Sequence, residues 1–100
     1  MKYIILTNKE AFRTSIQGNG LEPVASYDYY FFGRLKANYT IAKVIDEQCK
    51  VTITENGDVP YVNQIPVKFF EAYDCIEDAY RELQEMVGPD SENQKLVKVS

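Results

Sequence analysis

The run Tyr27-Asp28-Tyr29-Tyr30-Phe31-Phe32 is the densest collection of chemistry-bearing side chains in the sequence. A phenol beside a carboxylate is an acid/base pair in principle. The phenol donates a proton or hydrogen bond, and a desolvated Asp28, raised in pKa, accepts one. Neighbours in an extended strand point to opposite faces, so Asp28 would have to work with Tyr30. With 8 tyrosines and 15 Asp plus Glu in 100 residues, such pairs arise without any catalytic purpose. The pattern therefore assigns no catalytic residue.

The same six residues make a stronger case for contact. Tyr27, Tyr29 and Phe31 point one way and Asp28, Tyr30 and Phe32 the other, so both faces of the strand are aromatic. One face can be core; the other needs a second layer, a partner chain or a ligand to cover it. Tyr27, Tyr29, Tyr30 and Phe32 are expected to act as interaction anchors, because their rings bury apolar area while tyrosine keeps a polar tip. Residues 71–92 hold eight acids against Arg81 alone, although the whole chain is only −4. Glu77, Asp78, Glu82 and Glu85 form the polar side of this region and are expected to steer a basic partner.

Composition removes several functions. With no histidine, Ser/His/Asp triads, Cys/His dyads and Cys2His2 sites are excluded. The negative net charge lacks the electrostatic footprint of a duplex-binding protein. Arg34, Lys36, Lys43, Lys50 and Lys68 could support single-stranded nucleic-acid binding, a minor alternative, but Gly33-Arg34-Leu35 departs from the basic-Gly-aromatic order of an RNP1 motif. Gly18-Asn19-Gly20 runs into Leu21-Glu22-Pro23, which lacks the third glycine or Lys-Ser/Thr pair of a phosphate loop. Cys49 and Cys75 lie in unrelated segments and read as reduced, half-buried residues, so no metal set and no cofactor is expected. The apolar stretch Tyr3-Ile4-Ile5-Leu6 is too short for a signal-peptide core or a membrane span, and a cytoplasmic location is the default expectation.

The elements that must position these residues follow from periodicity. Ile76, Ala79, Tyr80, Leu83, Met86 and Val87 recur at helical spacing. Asp74 and Glu77 resemble a capping box ahead of them, and Gly88-Pro89 supplies the stop, predicting a helix over 75–87. Tyr27–Phe32 and Ala37–Ile45 predict a hairpin. Lys50–Glu55 predicts another, returning through a two-residue Asn56-Gly57 turn to an edge strand broken by Pro60 and Pro66. Lys2–Leu6, apolar on both faces, suits a central strand, and Lys95–Val99 a final one. Thr7-x-x-Glu10 favours a short helix over 8–17, with a strand over Ala11–Ile16 as the alternative.

The expected fold is one α+β domain spanning 1–100. A mostly antiparallel sheet of about five to six strands carries the helix 75–87 and the shorter helix 8–17. The expected function is a non-catalytic protein–protein interaction module: a small subunit, adaptor or protein inhibitor bound to a protein partner or to its own copies. The alternative is a small enzyme or ligand-binding domain with a pocket between sheet and helix, lined by Tyr39, Tyr61, Tyr73 or Tyr80.

Overall fold

Strand β1 (Lys2–Lys9) pairs antiparallel with β4 (Arg34–Val44), from Lys2 opposite Val44 to Lys9 opposite Ala37. In the computed structural model, which describes residues 2–16, 20–88 and 93–99, this ladder is the centre of the molecule. Ile4, Ile41 and Ala42 have no exposed surface. β3 (Leu21–Phe31) pairs with the other side of β4, and β7 (Gln94–Lys98) pairs with β3, giving a four-stranded antiparallel sheet ordered β1-β4-β3-β7. A second antiparallel sheet is ordered β2-β5-β6, from β2 (Phe12–Ile16), β5 (Lys50–Glu55) and β6 (Tyr61–Pro66). Among the described residues the α+β class with one C-terminal helix stands, while the expected single sheet is two sheets totalling seven strands.

The two faces of the larger sheet bury against different layers. Ala25, Tyr27, Ala37, Tyr39 and Ile41 pack on Ala79, Leu83 and Val87 of helix α1 (Ile76–Val87). Ile4, Leu6, Leu21, Ala42 and Val44 pack with Val51 of β5 and with Val67, which opens a single 3-10 turn after β6. Leu21 and Ala25 would share a face in a regular strand, yet they belong to opposite cores. The phase changes because Pro23 stands opposite Ala42 and Ala25 opposite Ile41, leaving Val24 as an extra, bulged residue.

Helix α1 is placed by its own stripe. Ala79, Leu83 and Val87 recur every four residues and are buried, while Gly88 closes the helix at φ 79°, where a Cβ would be strained. The Asp74 capping box does not form. Cys75 occupies the cap without a side-chain hydrogen bond, and the Asp74 carboxylate pairs with Lys2 across the sheet edge. Glu77 and Asp78 in the first turn face the positive end of the helix dipole and supply part of what the cap does not. Pro89 lies outside the described residues.

The N-terminal helix expected over 8–17 is replaced by strand and a bend through Ile16, position 17 lying outside the described residues. β1 runs on to Lys9, the chain bends at Glu10-Ala11, and Phe12–Ile16 pairs with β5. Thr7 and Glu10 flank a corner between two sheets, where Asn8 Oδ1 accepts the Thr14 backbone N–H at 2.6 Å and its hydroxyl at 3.2 Å. β1 is covered on both faces as expected, but it is the end strand of its sheet. Its outer edge is closed by a two-bond bridge to Tyr73, with N···O distances of 2.9 and 2.8 Å. The Asn56-Gly57 turn is also superseded. Glu55 stands opposite Tyr61, and Asn56 instead ties the loop to β1–β2 by donating to Ala11 O at 2.9 Å and to Glu10 O at 2.7 Å.

Two substitutions test this packing by denaturant unfolding. Leu83 has no exposed surface, so Leu83→Ala is expected to cost about 2–5 kcal/mol through lost burial and the cavity left under the helix. The Thr52 hydroxyl is buried without a hydrogen-bond partner among the described residues, so the near-isosteric Thr52→Val is expected to be neutral or to stabilise by up to about 1–2 kcal/mol.

Candidate functional site

The aromatic strand distributes its side chains between core and solvent along its length. Tyr27 is 8% exposed and lies against Tyr80 of α1 with ring centroids 5.3 Å apart. It is therefore a core residue under the helix, not a surface anchor of this chain. Tyr29 is half-buried at the edge of the same core and donates its hydroxyl to Gln94 Oε1 at 3.1 Å, tying β3 to β7. Tyr30 is half-buried opposite Lys95. Phe32 is 64% exposed and sits beyond the end of β3.

The turn after β3 explains that exposure. Its two central residues are Phe32 and Gly33, with φ 51° and 75°, the left-handed pair that a two-residue hairpin turn requires to match strand twist. Glycine adopts this angle freely; a bulky side chain does so only under strain. Phe32 is held there by its N–H donating to Asn93 O at 2.6 Å and by an edge-to-face contact with Phe31 at 4.5 Å. Phe31 is 38% exposed and Leu35, just after the turn, 57%. The β3–β4 tip thus presents three large apolar side chains, with Arg34 beside them. Strand periodicity alone missed Phe31 and Leu35, because the hairpin turn reads most simply as Gly33–Lys36.

Asp28 is committed elsewhere. It accepts from Asn38 Nδ2 at 2.9 Å, and Asn38 also meets Ser26 and Thr40 in a polar cluster on the part of the sheet that the second sheet leaves open. Among the described residues no hydrogen bond joins Asp28 to Tyr30. The phenols proposed to line one pocket are likewise dispersed: Tyr39 is in the core, Tyr61 lies exposed on β6, and Tyr73 closes the β1 edge. Tyr80 alone lines the open concavity of about 680 Å³ beside α1, together with Glu85, Gly88 and Leu96.

The acidic helix residues are also divided. Glu77 and Asp78 occupy the first turn, Asp78 lies 3.4 Å from Arg81, and Glu82 acts on Tyr73. Burial pushes the Tyr73 phenol up to about 12, with the charges of Glu71 and Glu82 adding to it. Burial also raises the Tyr27 and Tyr39 phenols, and it raises the Cys49 thiol, with the Asp46 charge adding to it. Asp90 and Glu92 lie outside the described residues. Cys49 and Cys75 are both half-buried and unbridged. Among the described residues no group of three or more Cys, Asp or Glu gathers to hold a metal, and no helix is long and apolar enough to cross a membrane. No protein-family model, curated protein or solved structure matches the chain.

The raised phenols give a signed pH dependence. An unfolded tyrosine loses its proton near about pH 10, before folded Tyr73 does, so the stabilising contribution is complete below that pH. Denaturation midpoints are expected to fall progressively from about pH 10 to about 12, and Tyr73→Phe to make that fall shallower.

Proposed function

We propose that this protein is a non-catalytic interaction module that engages a protein partner through the tip of its β3–β4 hairpin. The observation that carries the reading is Phe32: a bulky, solvent-facing ring held at a positive φ where asparagine or glycine would be relaxed. The strain of the left-handed angle and the edge-to-face contact with Phe31 are of similar size, so local stability gives little reason to prefer phenylalanine there. With Phe31 and Leu35 it makes an apolar projection on the paired ends of β3, β4 and β7, the kind of anchor that fills a pocket on another protein. Tyr30 and Tyr29 flank the projection and supply rings with polar tips. Glu77, Asp78, Glu82 and Glu85 contribute a long-range field that favours a partner with a basic surface, although they do not form one patch with the tip.

The test separates recognition from folding. Native affinity purification, with mass and stoichiometry measured, identifies the partner complex, and Phe32→Asn then probes the anchor. Asparagine relaxes the left-handed angle, worth about 1 kcal/mol, and loses the edge-to-face contact, worth about 0.5–1.5 kcal/mol. The variant is therefore expected to unfold within about 1 kcal/mol of the wild type while its partner affinity falls at least about tenfold. Unchanged affinity would refute the anchor; a large loss of stability would make Phe32 a structural residue.

A further inference from the structure

The corner where the chain passes from the first sheet to the second collects three cations that form no ion pair among the described residues. Lys9 ends β1, Arg13 lies in β2, and Lys36 lies in β4; all three are exposed and line one open concavity of about 870 Å³. Glu10 is the only carboxylate among its described lining residues, so the cleft is locally positive on a chain whose net charge is −4. Among the described residues the ion pairs are Lys2–Asp74 and Arg81–Asp78, and neither involves these three.

Two features make this more than a chance patch of surface charge. Tyr29 stands opposite Ala37 and Tyr30 opposite Leu35, so Lys36 is the extra residue of a β-bulge. Bulges re-aim a side chain and cluster beside functional sites. Asn8, on the cleft wall, has its carbonyl oxygen occupied by both Thr14 donors, which orients its amide and leaves Nδ2 as a donor with no acceptor among the described residues. Ser15 and Thr54 add hydroxyls on the β2–β5 wall.

We propose that this cleft is a binding site for a compact polyanion carrying two or more phosphate or carboxylate groups. Lys9, Arg13 and Lys36 supply the charge, and Asn8 a directed hydrogen bond. The described lining holds no aromatic ring on which a base could stack, so recognition is of the anionic groups themselves. The volume lies within the range of small-molecule sites, roughly 300–1,000 Å³, and exceeds what one small anion needs. Leu35 borders both this cleft and the hairpin tip, but the anion proposal rests on Lys9, Arg13, Lys36 and Asn8 and not on the tip's role.

Titration of the intact protein at low ionic strength with pyrophosphate, tripolyphosphate and citrate, followed by calorimetry and amide chemical shifts, tests the proposal. Saturable one-to-one binding is expected with at least one probe, with shifts concentrated in residues 8–15 and 35–38. Arg13→Ala with Lys36→Ala is expected to weaken it at least about tenfold. Lys43→Ala, at the far end of β4, is expected to leave affinity within about twofold. Both cleft residues are exposed, and circular dichroism verifies the fold; Lys36→Gln alone gives the same reading should the double variant misfold. Absence of saturable binding overturns the site. So does an equal loss in Lys43→Ala, which would mark nonspecific attraction, or binding of an acidic peptide with none of the three small probes.

Discussion

A four-stranded sheet has two faces to cover, and this chain covers them with one helix and one three-stranded sheet. β4 meets that constraint directly. Ala37, Tyr39 and Ile41 bury under α1, whereas Ala42 and Val44 bury against β5 and Val67, so the change of layer occurs between two successive residues. β1 divides in the same way, with Ile4 and Leu6 on the second-sheet side and Tyr3 and Ile5 on the helix side. The second sheet reaches only the Leu6 end of that face. Beyond it stand Asn38, Thr40, Ser26 and Asp28, polar residues that hydrogen-bond one another where no apolar layer arrives, with Asn8 beside them bonded to Thr14.

The irregularities of the strands follow from that division. The bulge at Val24 lets β3 send Leu21 into one core and Ala25 and Tyr27 into the other. The bulge at Lys36 and the Phe32-Gly33 turn lie at the opposite end, where burial no longer dictates alternation. Departures from regular geometry at that end serve exposure instead. They present Phe32 at the tip and turn Lys36 into the cleft, so both proposed surfaces occupy the region that the core does not need.

Elements whose signals are local were legible in the sequence. The four-residue apolar spacing of Ala79, Leu83 and Val87, closed by Gly88, identifies α1 to within one residue of its start, and the β-branched run Lys50–Glu55 coincides with β5. Features set by tertiary contact were not legible. Asp74 fits a helix cap by spacing, but Lys2 offers it a charge, and Asn56-Gly57 fits a tight turn, but Glu10 and Ala11 offer Asn56 three-dimensional partners. Thr7-x-x-Glu10 resembles a helix start only because a strand corner uses the same polar residues. Of the aromatic strand, position two by two was readable, but which ring lies under the helix depends on bulges that no periodicity reveals. Tyr27 is therefore core and Phe32 surface, although both belong to one run.

The central claim is that burial on both faces is concentrated where β1 and β4 lie between helix and second sheet, leaving the hairpin tip and β6 at the solvent. Native-state amide hydrogen exchange reads this directly. The slowest amides are predicted among hydrogen-bonded positions of 4–6 and 39–44, with residues 31–35 and 61–64 exchanging faster. Protection of the tip and β6 equal to that of the β1–β4 centre would contradict the account, because those segments would then belong to the core.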